Sequence, residues 1–164
     1  MNSGSYFLVR FDDKAQLLPA IESLGSRKQV RRWDAVDGYY NLVLRLSDKA
    51  LALPDELRKL EGFSSFSRCD LIDEQDDLAS IDDYPAASYL FIETEKERRR
   101  EVKTALELMD AVIACAPVTG SYDLVVVIAA DSFSEIERIV QRQLASLDGV
   151  LRLKQDRILR LDTL

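Results

Sequence analysis

The second half of the chain has the clearer pattern of apolar and polar positions. Residues 89–92 form a short aromatic and β-branched run, which predicts a strand. Residues 96–110 place apolar side chains on one helical face and charges on the other, which predicts an amphipathic helix. Two apolar runs, 112–118 and 122–130, predict strands of a hairpin, because only three residues including a glycine separate them.

A second helix and a last strand complete this half. Ser132 opens the sequence Ser-Phe-Ser-Glu, a capping box that can satisfy two free amides where a helix begins. Apolar residues then recur at helical spacing up to Gly149, which predicts the end of the helix. Residues 150–161 alternate apolar with polar and basic side chains and predict a strand. The predicted order of elements is therefore βαββαβ.

An internal repeat predicts the same order in the first half. Residues 30–44 align with residues 112–126 without a gap, and six of the 15 positions are identical, where chance gives about one. The identical pairs are Val30/Val112, Val36/Val118, Gly38/Gly120, Tyr40/Tyr122, Leu42/Leu124 and Val43/Val125. The weaker elements of the first copy are predicted as strands over 6–11, 29–36, 39–46 and 63–72 and helices over 15–24 and 54–60.

The predicted topology has a consequence for packing. A βαββαβ unit puts four antiparallel strands in one sheet and both helices on one face. The other face is apolar and needs a partner. It carries Trp33, Tyr40, Val43, Tyr122 and Leu124, or the residues that alternate with them. We therefore predict an α+β fold, in which two tandem ferredoxin-like βαββαβ modules pack their antiparallel sheets face to face.

The net charge of −7 is unevenly distributed. Residues 1–72 carry 11 basic and 10 acidic side chains, and residues 84–164 carry 11 and 13. Residues 73–83 hold six carboxylates and no base, which predicts a solvated acidic linker between the two modules. The acidic total weighs against direct binding of nucleic acid, which needs a basic face.

The composition excludes several classes of enzyme. The chain has no histidine, so Ser-His-Asp and Cys-His sites, most catalytic zinc sites and His-ligated haem are ruled out. Cys69 and Cys115 lie far apart, in neither a disulfide nor a zinc pattern. We predict no metal site and no cofactor. A signal peptide is not apparent, and the longest apolar run, 124–130, is too short for a membrane helix, so we predict a soluble cytoplasmic protein.

Three motifs of the second copy resemble a known family. They are Val112, the run Val118-Thr119-Gly120-Ser121-Tyr122-Asp123, and Leu147-Asp148-Gly149-Val150. In this order they resemble the effector-binding, ACT-like domain of the leucine-responsive regulatory protein / AsnC family of transcription regulators, over residues 88–161. The first copy resembles it more weakly through residues 36–41.

The resemblance implies a ligand site. In that family the glycine hairpin lies at a contact between dimers and lines an amino-acid pocket. By position, the residues that would line such pockets are Gly120, Tyr122 and Asp123, with Gly38, Tyr40 and Asn41 as a degenerate counterpart. Members usually begin with a helix-turn-helix domain, whereas the first strand here is predicted from about residue 5, so we expect no DNA binding by this chain itself.

Each of these residues also has a structural alternative. The glycines can serve the turn alone, Asp123 and Asn41 can cap the hairpin, and the two tyrosines can pack on the sheet. Two functions remain in view. The first is a non-catalytic protein that binds a small effector and forms a homo-oligomer, acting as an amino-acid sensor in transcription regulation or pairing with a regulator. The alternative is a small cofactor-free enzyme of the dimeric α+β barrel type.

Overall fold

The computed structural model describes residues 4–72 and 80–160, and their elements follow the order βαββαβ twice. The first half comprises β1 (Ser5–Phe11), α1 (Leu17–Gly25), β2 (Val30–Asp37), β3 (Leu42–Leu46), α2 (Leu53–Arg58) and β4 (Phe63–Leu71). The second comprises β5 (Ala86–Thr94), α3 (Arg99–Glu107), β6 (Val112–Gly120), β7 (Leu124–Ala130), α4 (Phe133–Ile139) and β8 (Val150–Ile158).

The eight strands form one closed barrel in the order β1-β3-β2-β8-β5-β7-β6-β4. Each half contributes four neighbouring antiparallel strands, and the halves join at two seams. At one seam Val36 of β2 faces Ile158 of β8. At the other Cys69 of β4 faces Gly120 of β6. The prediction of two ferredoxin-like modules with sheets packed face to face is confirmed, and the seams close these sheets into a barrel without free edges.

The register of the first module recurs in the second. Val9 faces Leu42 across β1 and β3, and Ile92 faces Leu124 across β5 and β7. The register shifts also match. The shift between Arg10 and Phe11 corresponds to the one between Glu93 and Thr94. The shift between Val30 and Arg32 corresponds to the one between Val112 and Ala114. Because register sets which face a side chain occupies, equivalent positions of the two modules can be compared directly.

The core has three layers. Each sheet packs its outer face against its own two helices, and a third cluster fills the barrel between the sheets. Tyr40, Val43 and Tyr122 lie in this interior, as predicted for the open sheet face. Leu124 instead packs on the helices of its module, and the adjacent Val125 points inward. Trp33 also leaves the interior and is 37% exposed.

Several elements end where the local pattern did not predict. Strand β3 begins at Leu42, three residues later than expected, because the preceding residues form the turn. Helix α3 is shorter at both ends than the predicted 96–110, and Glu97 before it has a φ of 68°. Helix α4 continues as a π-helical turn, Val140–Leu144. The predicted cap of α4 is present, since the Ser132 hydroxyl accepts a hydrogen bond from the Glu135 amide at 3.1 Å.

The predicted acidic linker lies largely outside the described residues, which resume at residue 80. Its last part is held to the body of the protein, since Ile81 is buried and Arg160 donates to its carbonyl at 2.8 Å. The division into residues 1–72, 73–83 and 84–164 stays a prediction. Within the described ranges, no helix is long and apolar enough to cross a membrane.

Candidate functional site

The two glycine hairpins lie at the two seams of the barrel. Gly120 has a φ of +112°, and a Cβ there would overlap the carbonyl oxygen of Arg68 on β4. A Cβ on Gly38 would overlap the carboxylate of Asp156 on β8. Each hairpin thus approaches the other module closely, and only glycine permits the approach. The glycines therefore have a structural role in closing the barrel.

Asp123 and Asn41 perform the same local task in their modules. The Asp123 carboxylate accepts a hydrogen bond from the Thr94 amide at 2.8 Å, and the Asn41 side chain accepts one from the Phe11 amide at 2.7 Å. Each bond holds the end of the module's first strand against its hairpin. The other Asp123 oxygen lies 3.7 Å from the Arg99 guanidinium. This geometry matches the capping alternative, and a ligand role for these residues stays a prediction.

Tyr40 and Tyr122 meet at the centre of the barrel, one from each module. Their hydroxyl oxygens lie 2.6 Å apart, and the Tyr40 hydroxyl donates to Ser67 Oγ at 3.0 Å. Both rings also pack on Phe91. Burial raises the pKa of each phenol above the ordinary value for tyrosine, so both hydroxyls stay protonated. Because the side chains are only 2% and 5% exposed, a ligand in solvent has little access to them.

Asp156 fixes the first hairpin from across the seam. Its two carboxylate oxygens accept hydrogen bonds from the backbone amides of Tyr39 at 2.8 Å and Tyr40 at 2.9 Å. Burial raises the pKa of this carboxyl, although the two amides act in the opposite direction. A fully buried carboxylate on one module thus sets the turn of the other.

Cys69 occupies the equivalent place at the second seam. It faces Gly120, and the amides of Tyr122 and Ser121 interact with its sulfur. Burial nevertheless raises the pKa of the thiol to about 11. The two seams therefore share their backbone geometry, but the first hairpin contacts the carboxyl group of Asp156 and the second contacts the thiol of Cys69.

A group of cations and aromatic rings borders the first hairpin, and we call it the Tyr39 cluster. Tyr39 is 45% exposed. Lys154 Nζ lies 3.6 Å from its ring centroid and 5.7 Å from that of Tyr122, and Arg10 Cζ lies 4.4 Å from the Tyr39 centroid. Sequence reasoning missed this cluster, because its residues lie far apart in the chain. The one visible sign was a tyrosine at position 39 where the other copy has Ser121.

A buried polar group occupies one end of the barrel interior. Asp34 accepts hydrogen bonds from the Tyr89 hydroxyl at 2.5 Å and from Arg32 Nε at 2.8 Å, both on the same carboxylate oxygen. Burial raises the pKa of Tyr89 well above its ordinary value. Arg45, only 5% exposed, lies 5.5 Å from the Tyr6 ring. These residues bridge the modules, because Tyr89 belongs to the second and Asp34 to the first.

Each module also has an open cleft between its helices and the ends of its second and third strands. The first has a volume of about 590 Å³ and contains an ion pair between Arg27 and Glu56. The second has a volume of about 580 Å³, and Asp110, Asp131 and Glu135 line it. Over residues 4–72 and 80–160, no three Cys, Asp or Glu side chains are grouped so that they could hold a metal ion.

Comparison with known proteins finds a family model that is similar to the second module. Residues 88–160 match the model of the Lrp/AsnC ligand binding domain. No curated protein matches the chain by sequence. Among solved structures, the transcriptional regulator NMB0573 from Neisseria meningitidis in complex with L-Met is 17% identical, with 55% of this chain and 61% of that chain covered and a TM-score of 0.45.

Two other solved structures are similar over nearly the whole chain. The siroheme decarboxylase NirDL is 11% identical, with 96% of this chain and 71% of that chain covered and a TM-score of 0.68. An anthrone oxidase-like protein is 10% identical, with 97% and 92% covered and a TM-score of 0.55. At this identity the likeness concerns the fold alone.

The family model, and not these structures, confirms the predicted resemblance of the second module to the Lrp/AsnC ligand-binding domain, over residues 88–160.

Proposed function

We propose that this protein is a non-catalytic effector-binding protein, which senses an amino acid and takes part in transcription regulation through a partner. The single observation that carries the proposal is the match of residues 88–160 to the Lrp/AsnC ligand binding domain. We place the protein in the cytoplasm, where such a regulator would act, and expect it to need no cofactor and to make no direct contact with DNA.

The hairpins remain the proposed place of binding, with Gly38, Tyr40, Asn41, Gly120, Tyr122 and Asp123 as the proposed lining residues. Their polar side chains already make hydrogen bonds within the fold. The backbone amides of Tyr39, Tyr40 and Ser121 are also bonded across the seams. A ligand would therefore meet the hairpins chiefly at their exposed tips, which include Tyr39 and Ser121.

A homo-oligomer is the second part of the proposal. In the closed barrel the inner face and the edge strands of each sheet already pair with the other module of the same chain. Any further assembly must use the outer surface, where Leu51 and Leu108 are 76% and 81% exposed at the rims of the two clefts. Light scattering tests this part separately from ligand binding.

The alternative function is a cofactor-free enzyme of the α+β barrel type. Its support is the closed barrel, which an anthrone oxidase-like protein shares in fold, and the buried carboxylate of Asp34. A catalytic base needs a carboxylate that can reach substrate. Asp34 is bonded to Tyr89 and Arg32, and we therefore rank the effector-binding function first.

The experiment is a thermal-shift screen of the intact chain against the twenty amino acids, followed by calorimetric titration of any hit. A ligand at 100 times its dissociation constant adds about 2.7 kcal/mol to the free energy of unfolding. We expect one amino acid or a chemically related few to raise the melting temperature. A flat response to all twenty contradicts amino-acid sensing.

The variant Asp123→Asn tests the hairpin residue itself. It keeps an oxygen for the Thr94 amide, as Asn41 does in the first module, and it removes only the negative charge. If Asp123 receives the ammonium group of the effector, affinity should fall about tenfold or more while stability changes little. Unchanged affinity would restrict Asp123 to its capping role.

A further inference from the structure

The Tyr39 cluster places two cations beside one exposed ring. Arg10 and Lys154 both lie close to the Tyr39 ring. Lys154 also interacts electrostatically with the buried Asp156 carboxyl group two residues along β8. The two positive charges repel each other, and an anion bound beside them would offset that repulsion.

Lys154 approaches the ring from the inner face of the barrel. On β8 it shares that face with Asp156 and Ile158, which are both buried, and its partner across β5 is Phe91 of the interior cluster. Its aliphatic stem is therefore partly enclosed while the ammonium reaches outward to Tyr39. A half-enclosed ammonium loses part of its hydration, so an anion bound there interacts with it more strongly than on an open surface.

The second module lacks this cluster at the equivalent positions. Glu93, Ser121 and Ser67 replace Arg10, Tyr39 and Lys154, as the matched registers of the two modules show. The Glu93 carboxylate lies 4.0 Å from Arg152, and Ser67 accepts a hydrogen bond from Tyr40. Of the two equivalent places in the twofold repeat, only the one at the first hairpin therefore carries this pair of cations, Arg10 and Lys154.

We infer that Arg10 and Lys154 bind the carboxylate of a small organic acid beside Tyr39, with one such ligand for each chain. The guanidinium offers two parallel donors to a carboxylate, and the ammonium adds another from the barrel side. The exposed part of the Tyr39 ring can pack against the remainder of the acid. That this acid is an amino acid rests on the proposed function, whereas the carboxylate site does not.

The test is calorimetric titration of the intact chain with the amino acid that gives the largest thermal shift, and with the amine that lacks only its carboxylate. We expect a stoichiometry of one and no measurable binding of the amine. Lys154→Gln and Arg10→Gln should each weaken binding of the amino acid about 10- to 100-fold, because each removes a charge-assisted hydrogen bond.

Lys14→Gln is the matched control. It removes the same charge near the same hairpin, but Lys14 is exposed and pairs with Asp37 at 3.7 Å. Binding should change by less than about twofold, since exposed charges are screened. If both cluster variants bind as the wild type does, or if the amine binds as tightly as the amino acid, the inferred site is wrong. Arg10 is exposed, so its variant remains informative even if Lys154→Gln is unstable.

A separate arm distinguishes the carboxylate site from the amino-acid proposal. If no amino acid binds, the same titrations use 2-oxo acids and succinate, which carry carboxylates without an ammonium group. If these acids bind and Lys154→Gln weakens their binding, the carboxylate site is supported and amino-acid sensing is refuted. If neither amino acids nor these acids bind at concentrations of about 10 mM, the site itself is refuted.

Discussion

The two modules have the same strand register but differ in the side chains that they bury at one end of the barrel interior. The first module buries a charged and hydrogen-bonded group there, in which Asp34 accepts from the second module's Tyr89. The second module has small or apolar residues at the matched positions. The matched pairs are Arg32 and Ala114, Asp34 and Ala116, and Arg45 and Val127.

The comparison separates residues that build the barrel from residues that could bind something. Positions that are identical in the two copies, such as Gly38 and Gly120 or Tyr40 and Tyr122, lie at the seams and at the centre. Positions that differ include those of the Tyr39 cluster, which has no cationic counterpart. Because identity between copies follows the shared architecture, the differences between copies are the better guide to chemistry in this protein.

The largest effect is expected from Gly120→Ala at the second seam. Alanine at a φ of +112° is strained, and its Cβ would meet the backbone of Arg68, which cannot move without opening the seam. We expect the free energy of unfolding to fall by about 3 kcal/mol, measured by urea denaturation.

Gly62→Ala provides the control for backbone strain alone. Gly62 also has a positive φ, of +79°, but the nearest atoms to a Cβ there belong to the flexible side chain of Gln16. Its loss should be about 1 to 2 kcal/mol. Equal losses in the two variants would mean that the close approach at the seam contributes nothing beyond the strain.

A smaller effect is expected from Tyr89→Phe at the polar end of the barrel. The variant removes a buried donor to the Asp34 carboxylate, which keeps its bond from Arg32. We expect a loss of about 2 kcal/mol, because hydrogen bonds to charged groups contribute about 1.5 to 3 kcal/mol. Tyr122→Phe, which removes a bond between two neutral hydroxyls, should cost about 1 kcal/mol. A reversed ranking would show that the polar group adds no stability between the modules.

The fold was predictable from the sequence because the strand and helix patterns are local, and because the repeat extends them from the second half to the first. They specified the βαββαβ order, and the apolar second face specified a partner sheet. The start of β3 was not predictable from the same patterns. The turn before it is held by Asp156, whose carboxylate accepts hydrogen bonds from the amides of Tyr39 and Tyr40, 117 and 116 positions earlier in the chain. No local pattern contains that contact.

The candidate site was predictable only in part. The hairpin residues were found by the repeat and do lie at the junction of the modules, but their hydrogen bonds within the fold were hidden. Arg10, Tyr39 and Lys154 become neighbours only when the first hairpin crosses to β8. A basic residue at an alternating strand position is typical of any exposed face, so neither cation is distinctive before the barrel closes.

The smallest of these effects is expected in the pH dependence of Asp156→Asn, and it compares the two seams. Burial raises the pKa of Asp156 in the folded protein, so the folded state binds this proton more tightly than the unfolded state does. The stability that this group contributes is present below the ordinary carboxyl value of 3.8 and is lost as the pH rises through the raised pKa. The free energy of unfolding of wild type minus that of Asp156→Asn should therefore be larger at about pH 3 than at about pH 7.

Cys69→Ser at the equivalent seam provides the control for that prediction. The Cys69 thiol has a pKa of about 11, so it stays protonated over the whole range, and serine does not titrate there either. The difference between wild type and Cys69→Ser should thus be the same at both pH values. Urea denaturation of the three proteins at several pH values gives both differences. If the Asp156 difference is also constant, the amides of Tyr39 and Tyr40 only balance the effect of burial. If it is larger at about pH 7, the amides outweigh burial, and the first seam is stabilised by the ionised carboxylate.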